Sequence, residues 1–134
     1  MNLMIDKQVM IDAAADVRTN AHAPFSGFRV GAAIETEDGE MIAGCNVESA
    51  SYGLTVCAER VAIWTAVAKG KPRITQVVVV ADTDELTPPC GVCRQIIWEF
   101  GGDIPVTMSN LNGKTETVQM AELLPRAFDS KFLK

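Results

Sequence analysis

The stretch Ile74-Thr75-Gln76-Val77-Val78-Val79-Val80-Ala81 decides the fold. Four consecutive valines leave no polar alternation, so this strand is covered on both faces, as in a sheet flanked by helices. Upstream, Cys57 to Lys69 is helical in pattern, with Val61, Ala62, Trp64, Thr65 and Ala68 read as the buried face and Gly70 as the stop. Downstream, a polar loop containing proline leads to Cys90, and Val92 to Phe100 reads as a second interior helix. Pro105 to Ser109 is a further strand, Asn112-Gly113 a turn and Thr115 to Gln119 a last strand; Ala121 to Leu124 begins a short helix that Pro125 limits. Nearer the start, Arg29 to Thr36 and Met41 to Asn46 pair through Glu37-Asp38-Gly39, because Asp38 and Gly39 tolerate positive φ. The opening helix, from about Asp6 to Asn20, sets Val9, Met10, Ala13, Ala14 and Val17 on one face and ends before Pro24. A strand-helix-strand-helix-strand run after a hairpin implies an α/β chain with a mixed sheet and helices on its faces. Trp64, Phe100 and the valine run are core by this pattern.

The chain has 134 residues, 48% apolar and 22% charged, the size and balance of one ordinary globular domain spanning 1–134. It shows no repeat, low-complexity tract or linker. No apolar run approaches the ~20 residues of a membrane helix. Met1 to Lys7 lack the basic-then-apolar pattern of a secretory signal, so a cytoplasmic location is expected. The net charge of −5 argues against a broad phosphate-binding surface and hence against a nucleic-acid partner.

Four cysteines lie at 45, 57, 90 and 93. In a chain of this kind they are better read as ligands or buried thiols than as disulfides. Pro89-Cys90-Gly91-Val92-Cys93 opens a helix, where backbone N–H groups favour thiolates. Alone, it fits a zinc half-site, a redox dithiol or two buried thiols. Cys57-Ala58-Glu59-Arg60 opens the preceding helix. A third thiolate there completes three protein ligands and leaves the fourth tetrahedral position open to water, the mark of a catalytic zinc. Glu59 is then placed beside that water without ligating the metal.

These motifs match the three-cysteine form of the zinc deaminase signature. The chain resembles the short, homotetrameric cytidine deaminases over nearly its whole length. Further matches are Ala23-Pro24-Phe25-Ser26-Gly27-Phe28, Val30-Gly31-Ala32-Ala33, Gly44-Cys45-Asn46-Val47-Glu48, Cys93-Arg94-Gln95 and Glu122-Leu123-Leu124-Pro125 with Phe128. The resemblance implies a three-layer α/β/α sandwich with a mixed five-stranded sheet. It also implies one zinc per chain on Cys57, Cys90 and Cys93, and deamination of cytidine and 2′-deoxycytidine in pyrimidine salvage. In that family's chemistry, hydroxide at the metal attacks C4 while Glu59 protonates N3 and later helps the amine leave as ammonia. By the same resemblance, Asn46 and Glu48 bind the ribose 3′-hydroxyl, Phe28 lies on the pyrimidine ring, the backbone of Ala58 donates to the base, and Phe128 serves a neighbouring subunit's site. Three thiolates and a hydroxide over-neutralise a divalent cation; Arg60 and Arg94, each beside a ligand cysteine, are the expected compensation together with two helix N-termini.

Plainer readings stand beside these. Cys45 suits a small strand thiol better than a fourth ligand, and His22 reads as a loop residue without a role. Arg94 also suits a solvated helix face, Asn46 a turn, and Phe128 ordinary packing. Val61, Trp64 and Ile96 offer apolar surface for a core or for a subunit interface. Competing functions are a deaminase of bases in nucleic acid, a deaminase of cytosine-bearing nucleoside antibiotics, a dithiol oxidoreductase on Cys90 and Cys93, and a structural zinc module closed by Cys45. Many members of the resembled family carry serine where this chain has Pro88. The 51–56 loop before Cys57 is a further variable element of the pocket.

Overall fold

A computed structural model describes residues 4–133, and the reading of Met1 to Leu3 lies outside the described residues. The elements run α1 (Lys7–Arg18), β1 (Val30–Thr36), β2 (Met41–Cys45), α2 (Ala58–Ala68), β3 (Ile74–Ala81), α3 (Gly91–Gly101), β4 (Pro105–Ser109), β5 (Thr115–Gln119) and α4 (Met120–Leu123). Short 3-10 turns at Tyr52–Leu54 and Ser130–Leu133 complete the order. The sheet is ordered β2-β1-β3-β4-β5. Only β3 and β4 are parallel; β1 runs antiparallel to both β2 and β3, and β5 antiparallel to β4. The strand boundaries read for β3, β4 and β5 hold to the residue.

Period-2 alternation in the valine run divides the interior into two layers. Val78 and Val80, with Ala33 of β1, meet Met10 and Ala14 of α1. Val77 and Val79, with Ala32 and Ile34, meet Ala62, Ile63 and Ala66 of α2 and Ile97 of α3. α1 on one face, and α2 and α3 with the short α4 on the other, give the three-layer α/β/α sandwich. Asp6 caps α1 by accepting from the N–H groups of Gln8 and Val9.

Two glycines set how closely the layers approach. A Cβ on Gly31 would stand 1.8 Å from the Ala14 carbonyl oxygen, and one on Gly44 would stand 2.6 Å from the Ala62 nitrogen and 2.9 Å from the Ala58 oxygen. The backbones of α1 and α2 therefore lie directly on β1 and β2.

That close seat corrects the expected face of α2. The buried residues are Ala58, Glu59, Ala62, Ile63 and Ala66. Trp64 is 45% exposed, and Thr65 and Ala68 are also outside. Alanines at 58, 62 and 66 form the i, i+4 stripe that fits against Gly44, where an indole has no room. In α1, Val9 likewise turns outward while Met10 and Ala14 are buried. Phe100 only flanks the core.

The chemistry collects at one end of the sheet. Val30 opens β1 opposite Ala81, which closes β3, and Gly31 pairs with Cys45 at the end of β2. The starts of α2 and α3 lie at the same end. This is where open α/β sheets bind ligands, outside the carboxyl ends of parallel strands.

Candidate metal centre and active site

Cys57 and Cys90 are the residues immediately before α2 and α3, with extended backbone (φ −71°, ψ 156° and φ −67°, ψ 168°). Neither side chain caps its helix, so both sulfurs are free to point elsewhere. Cys93, in the first turn of α3, is buried and joins them. The three sulfurs lie within 4.8 Å of one another, and those of Cys57 and Cys90 are 3.6 Å apart. A tetrahedral zinc with bonds of ~2.3 Å sets its sulfurs ~3.8 Å apart, so the donors fit that ion. Cys45 is half-buried and outside the cluster, which leaves three protein ligands and an open fourth direction.

The electrostatics agree. A hydrogen bond from Cys93, reinforced by Arg60, holds the Cys57 thiol down to about 5. That bond, with burial, pushes Cys93 up. Three sulfurs gathered this closely are a donor set that suits a cation between them. Arg60 places Nη2 3.6 Å from the Cys57 sulfur and 3.4 Å from the Thr55 carbonyl, while its guanidinium lies over the Trp64 ring at 5.7 Å. Its Nε is buried without a partner among the described residues. Arg60 thus places its positive charge beside the Cys57 sulfur. Arg94 contacts no sulfur by hydrogen bond; it ties the Pro89 carbonyl (2.8 Å) to that of Leu123 (2.9 Å), fixing the backbone just before Cys90.

Glu59 is 3% exposed in the first turn of α2. Burial, then the negative charge at Cys57, raises its carboxyl to about 7. A carboxyl poised there can both take up and release a proton at neutral pH. Glu59, Cys57, Cys90 and Ala58 line a recess of about 240 Å³ with Phe28, Val30, Asn46, Glu48, Thr55, Val79, Thr87 and Pro88. A larger hollow of about 690 Å³, at the opposite end of the sheet beside Asp38 and Phe100, holds none of these groups.

Asn46, 7% exposed, accepts from the Val30 N–H at 2.9 Å and donates to the Phe28 carbonyl at 2.8 Å. Glu48 accepts from the N–H groups of Phe25 (2.9 Å) and Ser26 (3.1 Å) and from the Ser26 hydroxyl. The Ser26 bond above all holds this carboxyl below its usual range. Ser26 Oγ in turn accepts from the Phe28 N–H at 2.9 Å. Both residues therefore brace the turn that presents the Phe28 ring, a positioning function the sequence does not announce. His22 also has a structural part: its N–H donates to Asn46 and its carbonyl accepts from Glu48, holding that strand extension in line. Phe128 stands apart from this recess, 55% exposed and stacked on Phe132 at 5.7 Å.

A family model described as the cytidine and deoxycytidylate deaminase zinc-binding region matches residues 4–108. The cytidine deaminase of Halalkalibacterium halodurans is 44% identical over 128 residues, which span 95% of this chain and 97% of that protein. The crystal structure of cytidine deaminase from Burkholderia pseudomallei superposes with a TM-score of 0.89 at 42% identity, covering 92% of this chain and all of that one. Blasticidin-S deaminase of Bacillus cereus is 36% identical over 104 residues, 72% of this chain and 74% of that protein.

Proposed function

This chain belongs to the cytidine and deoxycytidylate deaminase family, and on that premise we propose how its residues carry out the hydrolytic, zinc-dependent deamination of cytidine. The observation that carries the reading is a cluster of three sulfurs, two of them from residues that line a base-sized recess together with the buried carboxyl of Glu59. Cys57, Cys90 and Cys93 hold the zinc, which when bound supplies Lewis-acid activation of water at neutral pH. Phe28 stacks on the pyrimidine and the Ala58 N–H orients its polar edge. Glu59 takes one proton of the attacking water and delivers it to N3, then takes the proton of the hydroxyl now on C4 and passes it to the amine, which leaves as that hydroxyl becomes the carbonyl. Water enters, ammonia leaves, and uridine remains. Asn46 and Glu48 hold the sugar through its 3′-hydroxyl, which both cytidine and 2′-deoxycytidine carry, so both are substrates and the role is in pyrimidine salvage.

The recess is smaller than the roughly 300 Å³ at which ordinary ligand pockets begin, so part of a nucleoside stays uncovered by one chain. Trp64, Val92 and Phe128 are large apolar groups exposed on the same molecule. These features support a homotetramer in which Phe128 reaches a neighbour's recess. The chain functions as one domain over 1–134 in the cytoplasm. Among the described residues no helix is long and apolar enough to cross a membrane.

Purified protein is expected to convert cytidine to uridine with stoichiometric ammonia, to carry about one zinc per chain, and to elute as a tetramer by light scattering. Zinc without turnover of cytidine or deoxycytidine would overturn the substrate, and protein without zinc the chemistry. Arg60→Ala is expected to lose roughly 10–100-fold in zinc affinity or activity, the usual effect of removing a partner of a metal ligand. Unchanged values of both would remove Arg60 from the machinery.

A further inference from the structure

The loop from Asp82 to Pro89 has no regular structure, yet Thr87 and Pro88 make it one wall of the recess. Two hydrogen bonds brace it. The Thr83 and Thr87 hydroxyls meet at 2.9 Å across its neck. Asn110, 6% exposed just beyond β4, donates from Nδ2 to the Thr83 carbonyl at 3.0 Å. Asn110 is itself fixed, because its Oδ1 accepts from the N–H groups of Asn112 (2.9 Å) and Lys114 (3.0 Å) at the β4–β5 turn. Sheet holds Asn110, Asn110 holds Thr83, and Thr83 holds Thr87. Pro88 and Pro89 have no N–H with which to anchor the same stretch. Thr87 and Pro88 run directly into Cys90, so their wall stands at the metal end of the recess. On the deaminase reading above, a cytosine that presents C4 to the metal end directs its exocyclic amine toward this wall.

We propose that the Thr83–Thr87 hydrogen bond sets the width of the recess at the exocyclic amine. Thr87 is thereby a positioning residue that decides how large a substituent on N4 of a cytosine nucleoside is accepted. The inference rests on the deaminase reading above. An N4-methyl substrate tests it, since water then displaces methylamine in place of ammonia and no other bond changes.

The readout is kcat/KM for N4-methylcytidine divided by that for cytidine, with zinc per chain measured on every sample. Thr83→Val is the cleaner variant, because Thr83 does not line the recess. Loss of one ordinary hydrogen bond is expected to lower cytidine kcat/KM about tenfold in Thr83→Val and Thr87→Val, with the ratio rising roughly threefold or more. The double variant is expected to match either single one, since both remove the same bond. Thr87→Ser restores the wild-type ratio. An unchanged ratio in Thr83→Val, with zinc retained, overturns the inference and leaves the deaminase reading standing. Wild-type protein inert on cytidine overturns that reading itself. If Thr83→Val loses its zinc, Thr83→Ala decides by the same ratio.

Discussion

Glu59→Gln is expected to keep its zinc and to lose about 10²–10⁴-fold or more in turnover, the range of positioned acid–base catalysis. The replacement keeps shape and hydrogen bonding but cannot exchange a proton at N3 or at the leaving amine. Glu59 sits in the first turn of α2, beside Cys57 yet outside the sulfur cluster, so the metal donors stay as they are. Burial already disfavours the charged carboxylate, so the neutral amide is expected to leave thermal stability unchanged or slightly raised. Cytidine turnover and zinc content on one preparation check both halves. Wild-type-like turnover would remove Glu59 from the mechanism, and loss of zinc would make it a ligand instead of a proton carrier.

Gly31→Ala is expected to be the most damaging single methyl in the chain. Its Cβ would stand 1.8 Å from the Ala14 oxygen, 2.8 Å from the Ala14 carbon and 3.0 Å from the Arg18 Cβ. Two of those three atoms are helix backbone, which cannot rotate aside. Either α1 lifts from the sheet, uncovering Met10, Ala33, Val78 and Val80, or β1 distorts between its two partners. The expected loss is about 3 kcal/mol or more, the upper part of the range for overpacking, and a fall of roughly 10 °C or more in melting temperature. Gly53→Ala is the control, because a Cβ there meets nothing within 4 Å. Similar melting points for both variants would show that α1 does not lie on β1 at this distance.

Much of the fold was legible because its signals are local. The valine run, the Asp38-Gly39 turn and the Gly70 stop each act over a few residues, and the elements they mark are present. The face of α2 was not legible in that way. Hydrophobicity favours Trp64 for burial, but a close approach to Gly44, set by pairing far along the chain, selects the alanines instead. The 3-10 turn at Ser130–Leu133 has no periodicity long enough to read. The sulfur cluster and Glu59 were visible because two short motifs each sit at a helix start. The bracing of Phe28 by Asn46 and Glu48 was hidden, since it joins residues 18 to 23 positions apart. Arg94 stood at the expected position, but its bonds run to carbonyls rather than to sulfur.

The bare helix starts at Cys57 and Cys90 have a consequence for anyone scoring libraries of variants. Each cysteine stands where a serine or aspartate would otherwise secure the first turn, and neither caps its own helix, so on the zinc reading proposed above an ion gathered by the sulfurs would also tie the two helix starts together. A substitution at either position is therefore read twice, once as lost reactivity and once as a loosened end on α2 or α3. Screens that report only product will merge the two losses. Pairing such a screen with a fold reporter will separate residues that act at the pyrimidine from those that keep the two helices registered against each other.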